Sequence, residues 1–233
     1  MTVYDDFYDR NKKNEYNAGR NIITADAATI LQNIKQSAFG DHNLVIYFSL
    51  EEFEEIYIES SIDALLNRNE LFLLATYYQD VGYVRKKLRL AGIDIAKYER
   101  ENILVITDSA IAYQRHTLTN DGDDNNNSYY NDAATNGTDD TTYNIIKISS
   151  QLVRHAEKVN KNGVTILGDV GPFILKNKLD ELIRYEESIS PLIANAKVRL
   201  ICCYHKDDFD RLTEEQRQKI LAVHGKSFIV SLP

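Results

Sequence analysis

The residues most able to do chemistry are one carboxylate on an apolar helical stripe, a pair of adjacent thiols, and the polar groups that follow short apolar runs. In residues 174–190 (ILKNKLDELIRYEESIS), Leu175, Leu179, Leu182, Glu186 and Ile189 recur at alternating spacings of four and three. That spacing puts the Glu186 carboxylate on a face otherwise turned toward a core. A carboxylate removed from water must be paired, hydrogen-bonded or protonated. Glu186 therefore reads either as a structural anchor, to a backbone N–H or an arginine such as Arg199, or as a group that recognises a ligand or accepts a proton. Cys202 and Cys203 lie inside the apolar run VRLICCY and point to opposite faces of a strand; buried cysteines are ordinarily packing residues. His224 stands before Gly225 at an expected helix end, where the dipole favours the charged imidazole, and His155 sits at the border of another helix face. A thiol, a carboxylate and a histidine can form a hydrolytic site, here Cys203, Glu186 and His224, if the fold joins them.

A second set of candidates comes from position alone. In an open α/β sheet, ligands lie beyond the carboxyl ends of the strands. That rule selects Ser49, Tyr77 and Tyr78, Asp108, Asp169, and Tyr204 with His205, each of which follows an apolar run. Their alternative role is local turn hydrogen bonding. A nucleotide site would need a glycine loop with a lysine and a hydroxyl. The first run instead continues as SLEEFEEI, so Glu51, Glu52, Glu54 and Glu55 occupy the helix start that phosphates would need. Asp169 resembles the magnesium-holding acid of a nucleotide hydrolase, but without a phosphate loop that role has no partner. No catalytic residue, metal site or cofactor is assigned.

The elements that must carry these residues alternate in type. Apolar runs at 44–48, 71–76, 103–107, 164–168, 198–204 and 227–230 read as strands, and amphipathic stretches at 25–38, 51–68, 80–91, 144–161, 174–190 and 213–224 read as helices. Pro191 is expected to stop the helix at 174–190, and Thr213 with Gln216 has capping-box spacing. Continuous apolar strands alternating with helices require a mostly parallel sheet covered on both faces. The expectation is a doubly wound α/β fold of about six strands.

The 233 residues divide into a flexible tail at 1–20 and one domain over 21–233, interrupted by an Asn/Asp-rich insertion at 119–142 that is nearly devoid of aliphatic side chains. Such a segment cannot bury itself and is expected to be disordered. Asp121, Asp123, Asn125 and Asp132 fall in an EF-hand-like register, but Asn126 replaces the required glycine and the terminal glutamate is absent. Asn126 and Asn136 head glycosylation sequons that an unexported chain does not use. The net charge of −8 disfavours nucleic acid and anionic membrane as partners. With two adjacent cysteines, no apolar run of membrane-spanning length and no apolar leader, the expectation is a reduced, cytoplasmic protein.

The segments HNLVIYFSLEEFEEIYIESSIDALLNRNELFLLAT, ILVITDSAIAY, VTILGDVG, LDELIRYEESIS and RLICCYHKDDFDRL through ILAVHGKSFIV resemble the MEDS family, the methanogen/methylotroph DcmR-like sensory domains, over most of residues 42–231. The resemblance implies a RecA-like or KaiC-like fold without its phosphate loop, sensing of a small organic molecule, and output to a histidine kinase or transcription regulator. It carries ligand-binding roles onto Tyr47, Tyr185, Glu186, Cys203, Tyr204 and His224. The chain departs from the pattern at Asn69-Glu70, where a glycine-glutamate turn is expected, at Gly225, where a proline is expected, and in the insertion. Together these readings place a ligand crevice rimmed by Asp108, Tyr113, Asp169 and Tyr204 with Glu186 beneath. The competing readings are the hydrolase named above and a scaffold that binds only protein; homo-oligomerisation stays open.

Overall fold

A computed structural model describes residues 22–115 and 143–231. The expected tail at 1–20 and the insertion at 119–142, with its calcium-like register and sequons, lie outside the described residues.

Among the described residues seven strands form one sheet in the order β1-β7-β2-β6-β5-β3-β4, and every adjacent pair is parallel. The strands are β1 (Ile22–Ala25), β2 (His42–Tyr47), β3 (Leu71–Thr76), β4 (Leu104–Asp108), β5 (Val164–Asp169), β6 (Val198–His205) and β7 (Lys226–Val230). Every residue of β2, β3 and β5 is buried, which is why these strands read as unbroken apolar runs and not as alternating ones.

The sheet is wound in two directions. From β1 through β2 and β3 to β4 the chain crosses toward one edge, and its connecting helices are α1 (Ala27–Lys35), α2 (Leu50–Ile62), α3 (Val81–Leu90) and α4 (Ile95–Arg100). Their buried side chains, among them Ile34, Phe53, Ile56, Val84 and Leu88, pack with Val45, Tyr47, Phe72, Leu74 and Cys203. From β4 back through β5 and β6 to β7 the connections are α5 (Ser109–Ala112), α6 (Asn144–Lys158), α7 (Gly171–Leu175), α8 (Leu179–Ile193), α9 (Lys206–Arg211) and α10 (Glu214–Val223). This second layer packs Ile148, Leu152, Leu182, Tyr185 and Ile220 on Leu44, Ile46, Leu73, Cys202 and Tyr204. One helical layer for each direction of winding is what a constant crossover hand requires.

The sheet has one strand more than expected. β1 is only four residues, IITA, and pairs along its length with β7, so its apolar signal is too short to stand out beside a polar segment. The helix expected at 174–190 is two helices: Asn177 adopts φ 53° between them, and Leu175 is 44 % exposed instead of lying on the stripe. Pro191 lies inside α8, which runs to Ile193; so near the C-terminus the amide missing from proline costs only a last-turn bond. The capping box at Thr213 and Gln216 forms as expected.

The amino-terminal half of the sheet is tied by a buried polar cluster. Arg199 on β6 donates to the Glu70 carboxylate and, at 2.9 Å, to Thr165 on β5. The Thr165 hydroxyl also donates to Glu70 at 2.6 Å. A widened π-helical turn, Asp63–Asn67, follows α2 and brings Asp63 to 3.7 Å from Arg199. Arg199 is thus committed to Glu70 and not to Glu186.

Candidate functional site

Glu186 projects from α8 into the layer between that helix and the sheet and is fully buried. Four side chains from three elements converge on it. Tyr204 of β6 donates its hydroxyl to Oε1 at 2.5 Å. Around Oε2 lie Cys202 Sγ of β6 at 3.4 Å, His42 Nε2 of β2 at 3.2 Å and His224 Nε2, just past α10, at 3.6 Å. Burial opposes ionisation of Glu186, but His224, His42 and the Tyr204 hydroxyl outweigh it and hold the carboxyl below its ordinary range. Burial pushes His224 down to about 4, with His42 adding to the shift. The dipole expectation of a charged His224 is therefore reversed: its C-cap position is buried, and desolvation wins over the partial charge of the helix end.

Next to this cluster stands a group of aromatic rings. Tyr113, which follows α5, packs 5.0 Å from Phe173 of α7 and 5.1 Å from Tyr185 of α8. Tyr143, before α6, lies 5.4 Å from Tyr185. An open depression of about 280 Å³ reaches this group from outside, with Tyr113 and Arg115 on one side and Phe173, Lys176 and Lys178 on the other. The depression is built by the segments after β4 and β5, near where adjacent strands send their connections to opposite faces, the region where α/β sheets hold ligands.

Gly168 of β5 makes room for Tyr113. A Cβ there would stand 2.3 Å from the Tyr113 hydroxyl, and the tyrosine ring is wedged among other aromatics. Gly168→Ala is expected to destabilise the fold by about 1–3 kcal/mol and to alter near-ultraviolet circular dichroism, as checked by urea unfolding and by the tyrosine signal.

At the carboxyl rim, Asp169 is fully buried and accepts from the Gly171 amide at 2.9 Å and from the Tyr47 hydroxyl at 3.4 Å. Burial raises its pKa to about 7 against the pull of those hydrogen bonds. The native state therefore holds this proton where the unfolded chain, ionising near 3.8, has lost it. Its contribution to stability is constant below about pH 4, falls as pH rises to about 7, and is constant above that. Asp169→Asn removes this dependence, so the stability difference, variant minus wild type, is expected to grow in favour of the variant between pH 4 and 7 in denaturant titrations. Using the difference cancels the opposite slope contributed by His224.

The sequence-selected residues divide between the two faces. Tyr113, Tyr185, Glu186, Tyr204 and His224 come together in the layer with α5–α10. Tyr47 and Cys203 belong to the other layer, so Cys203 cannot act with Glu186 and His224, and the neighbouring Cys202 takes the place given to it. Tyr77 and Tyr78 are half-buried at the rim, their rings 5.3 Å apart, with Tyr78 donating to Asp208. Asp108 is exposed and caps α5 by accepting from the Ala110 amide at 2.6 Å. Ser49 caps α2, and Glu52 closes that turn by accepting from the amides of Phe48 at 2.6 Å and Ser49 at 3.2 Å. His155 makes a surface contact with the Glu101 carbonyl. His42 and Ser190 were not selected; His42 opens β2 as a polar residue before an apolar run, a signal that strand ends commonly share.

Residues 41–225 match the family model MEDS, the MEthanogen/methylotroph, DcmR Sensory domain. The chain belongs to the MEDS family. A search of curated proteins found no match. The matched span of this MEDS domain includes His42, Glu186, Cys202 and His224 as well as both walls of the depression, and the family name assigns it a sensory signalling role. Among the described residues no helix is long and apolar enough to cross a membrane.

Proposed function

We propose that this MEDS domain binds a small organic molecule in the depression between the segments after β4 and β5, and passes its occupancy to a signalling partner such as a histidine kinase or transcription regulator. The observation that carries the reading is the union of an aromatic wall with an open, polar mouth: Tyr113 and Phe173 at the back, and among the described lining residues Arg115, Lys176, Lys178 and Glu181, the last two paired at 3.1 Å. Aromatic faces take up an apolar body, and a few convergent polar groups fix its orientation. The chemistry fits a compact, partly apolar ligand with an anionic or strongly accepting end. Binding there would tie α5, α7 and α8 together, and differential contact with these segments is what can shift a population.

Nucleotide hydrolysis does not belong to the proposal. The amides that open the first β–α turn, where a phosphate would dock, are held by the Glu52 carboxylate, and its charge would repel a triphosphate. Thermal unfolding with a panel of small organic acids, alcohols and halogenated compounds tests the reading. A true ligand at a hundred times its Kd is expected to add about 2.7 kcal/mol, and Arg115→Ala with Phe173→Ala is expected to abolish the shift. Stabilisation by magnesium-ATP, or no shift with any organic compound, would count against it.

A further inference from the structure

We propose that His42, Glu186, Cys202 and His224 form a closed, four-ligand site for a divalent transition metal of the zinc class, bound through His42 Nε2, Glu186 Oε2, Cys202 Sγ and His224 Nε2. These four donor atoms all lie within 4.8 Å of one another and all four residues are buried. With metal–nitrogen and metal–oxygen bonds of about 2.0–2.2 Å and metal–sulfur bonds of about 2.3 Å, tetrahedral ligands stand about 3.3–3.7 Å apart. Three of the six separations already match that spacing, His42 Nε2 to Cys202 Sγ 3.3 Å, Cys202 Sγ to Glu186 Oε2 3.4 Å and His224 Nε2 to Glu186 Oε2 3.6 Å, and a fourth, His42 Nε2 to Glu186 Oε2, is just below it at 3.2 Å.

The surrounding hydrogen bonds fix which atoms face inward. The His224 Nδ1–H donates to the Ile220 carbonyl at 2.7 Å, leaving a lone pair on Nε2, and that buried atom has no hydrogen-bond partner among the described residues. The Ser190 hydroxyl donates its proton to the carbonyls of Val223 at 3.1 Å and Glu186 at 3.3 Å. Its oxygen must therefore accept from the His42 Nδ1–H, 2.7 Å away, and in the neutral ring the lone pair is then on Nε2, turned toward Glu186 and Cys202. Tyr204 occupies Oε1 and leaves Oε2 for the cluster. With both rings neutral, two imidazole lone pairs, a carboxylate oxygen and a thiol sulfur thus meet in a buried space with the thiol proton between them. Each histidine and the carboxylate has an outer partner holding its inner atom in place, as metal ligands ordinarily do. With Cys202 as thiolate and Glu186 as carboxylate, a divalent ion makes the buried cluster neutral. Four protein donors leave no coordination position for substrate, so the ion is structural: it joins β2, β6, α8 and the end of α10 behind the aromatic wall.

The test is metal content and the Co(II) spectrum of the full chain. Wild type expressed with added zinc is expected to carry about one equivalent per chain. Replacement by Co(II) is expected to give the visible bands of a tetrahedral site and a near-ultraviolet thiolate-to-cobalt band. Cys202→Ser should lose the thiolate band and weaken zinc binding by at least about 100-fold, whereas Cys203→Ser, on the other face of the sheet, should retain both. Zinc far below one equivalent with no tetrahedral cobalt spectrum in wild type overturns the proposal, as does an unchanged thiolate band in Cys202→Ser. The wild-type spectrum decides the matter if that variant does not fold. The outcome is independent of whether the depression binds an organic ligand.

Discussion

Glu186→Leu is expected to lower the unfolding free energy by about 3–5 kcal/mol, the range seen when one partner is removed from a buried charged cluster. Leucine has a similar volume and suits the apolar stripe of α8, so little of the loss comes from packing. The cost arises from what the carboxylate leaves behind. Tyr204 loses the acceptor of its hydroxyl and Cys202 the acceptor of its thiol at 3.4 Å, both in the buried layer. Each stranded buried polar group costs about 1–3 kcal/mol, so the sum reaches the stated range even after local relaxation. Glu186→Gln keeps an acceptor for Tyr204 and is expected to lose less. Urea unfolding of the two variants checks the order; a loss below about 1 kcal/mol for Glu186→Leu, with an unchanged denaturant slope, would contradict a paired carboxylate.

Arg199→Met is expected to cost a similar amount, again about 3–5 kcal/mol, for a different reason. Methionine preserves most of the side-chain volume, but Glu70 is left buried with Thr165 as its remaining side-chain hydrogen-bond donor. A second variant separates charge from shape. Adding Glu70→Gln to Arg199→Met removes the uncompensated charge and is expected to recover part of the loss, so the two changes should be strongly non-additive in a double-mutant cycle. Additive losses would show that Arg199 acts through packing alone.

The parts of this architecture legible in the sequence are those whose signal is local. Val45, Ile46, Leu73, Leu74, Ile166 and Leu167 lie in runs buried on both sides, so their strands announce themselves by composition. Glu186 was legible because the spacing of Leu182 and Ile189 fixes its helical face. What was not legible depends on register or on distant contacts. Cys202 and Cys203 alternate by necessity, but which one meets Glu186 depends on which layer α8 joins, and strand alternation gives only the parity. His42 reaches Ser190 across 148 positions, a contact set by the pairing of β2 with β6. Asn177 ends the helix before α8 by adopting a left-handed backbone, which asparagine tolerates without requiring it. The aromatic wall shares this dependence, since Tyr113, Tyr143 and Tyr185 come from three separated segments and meet only when α5, α6 and α8 are laid on the same face.

The central claim is that the domain senses through the depression backed by Tyr113 and Phe173. Amide hydrogen exchange, with and without the organic compound that best stabilises the chain, tests it most directly. The predicted result is new protection concentrated in residues 109–115 and 171–178, lost in Arg115→Ala, with the turn at 48–53 unchanged. Protection confined to residues 48–53, or a stabilising compound that leaves 109–115 and 171–178 exchanging as before, would contradict it.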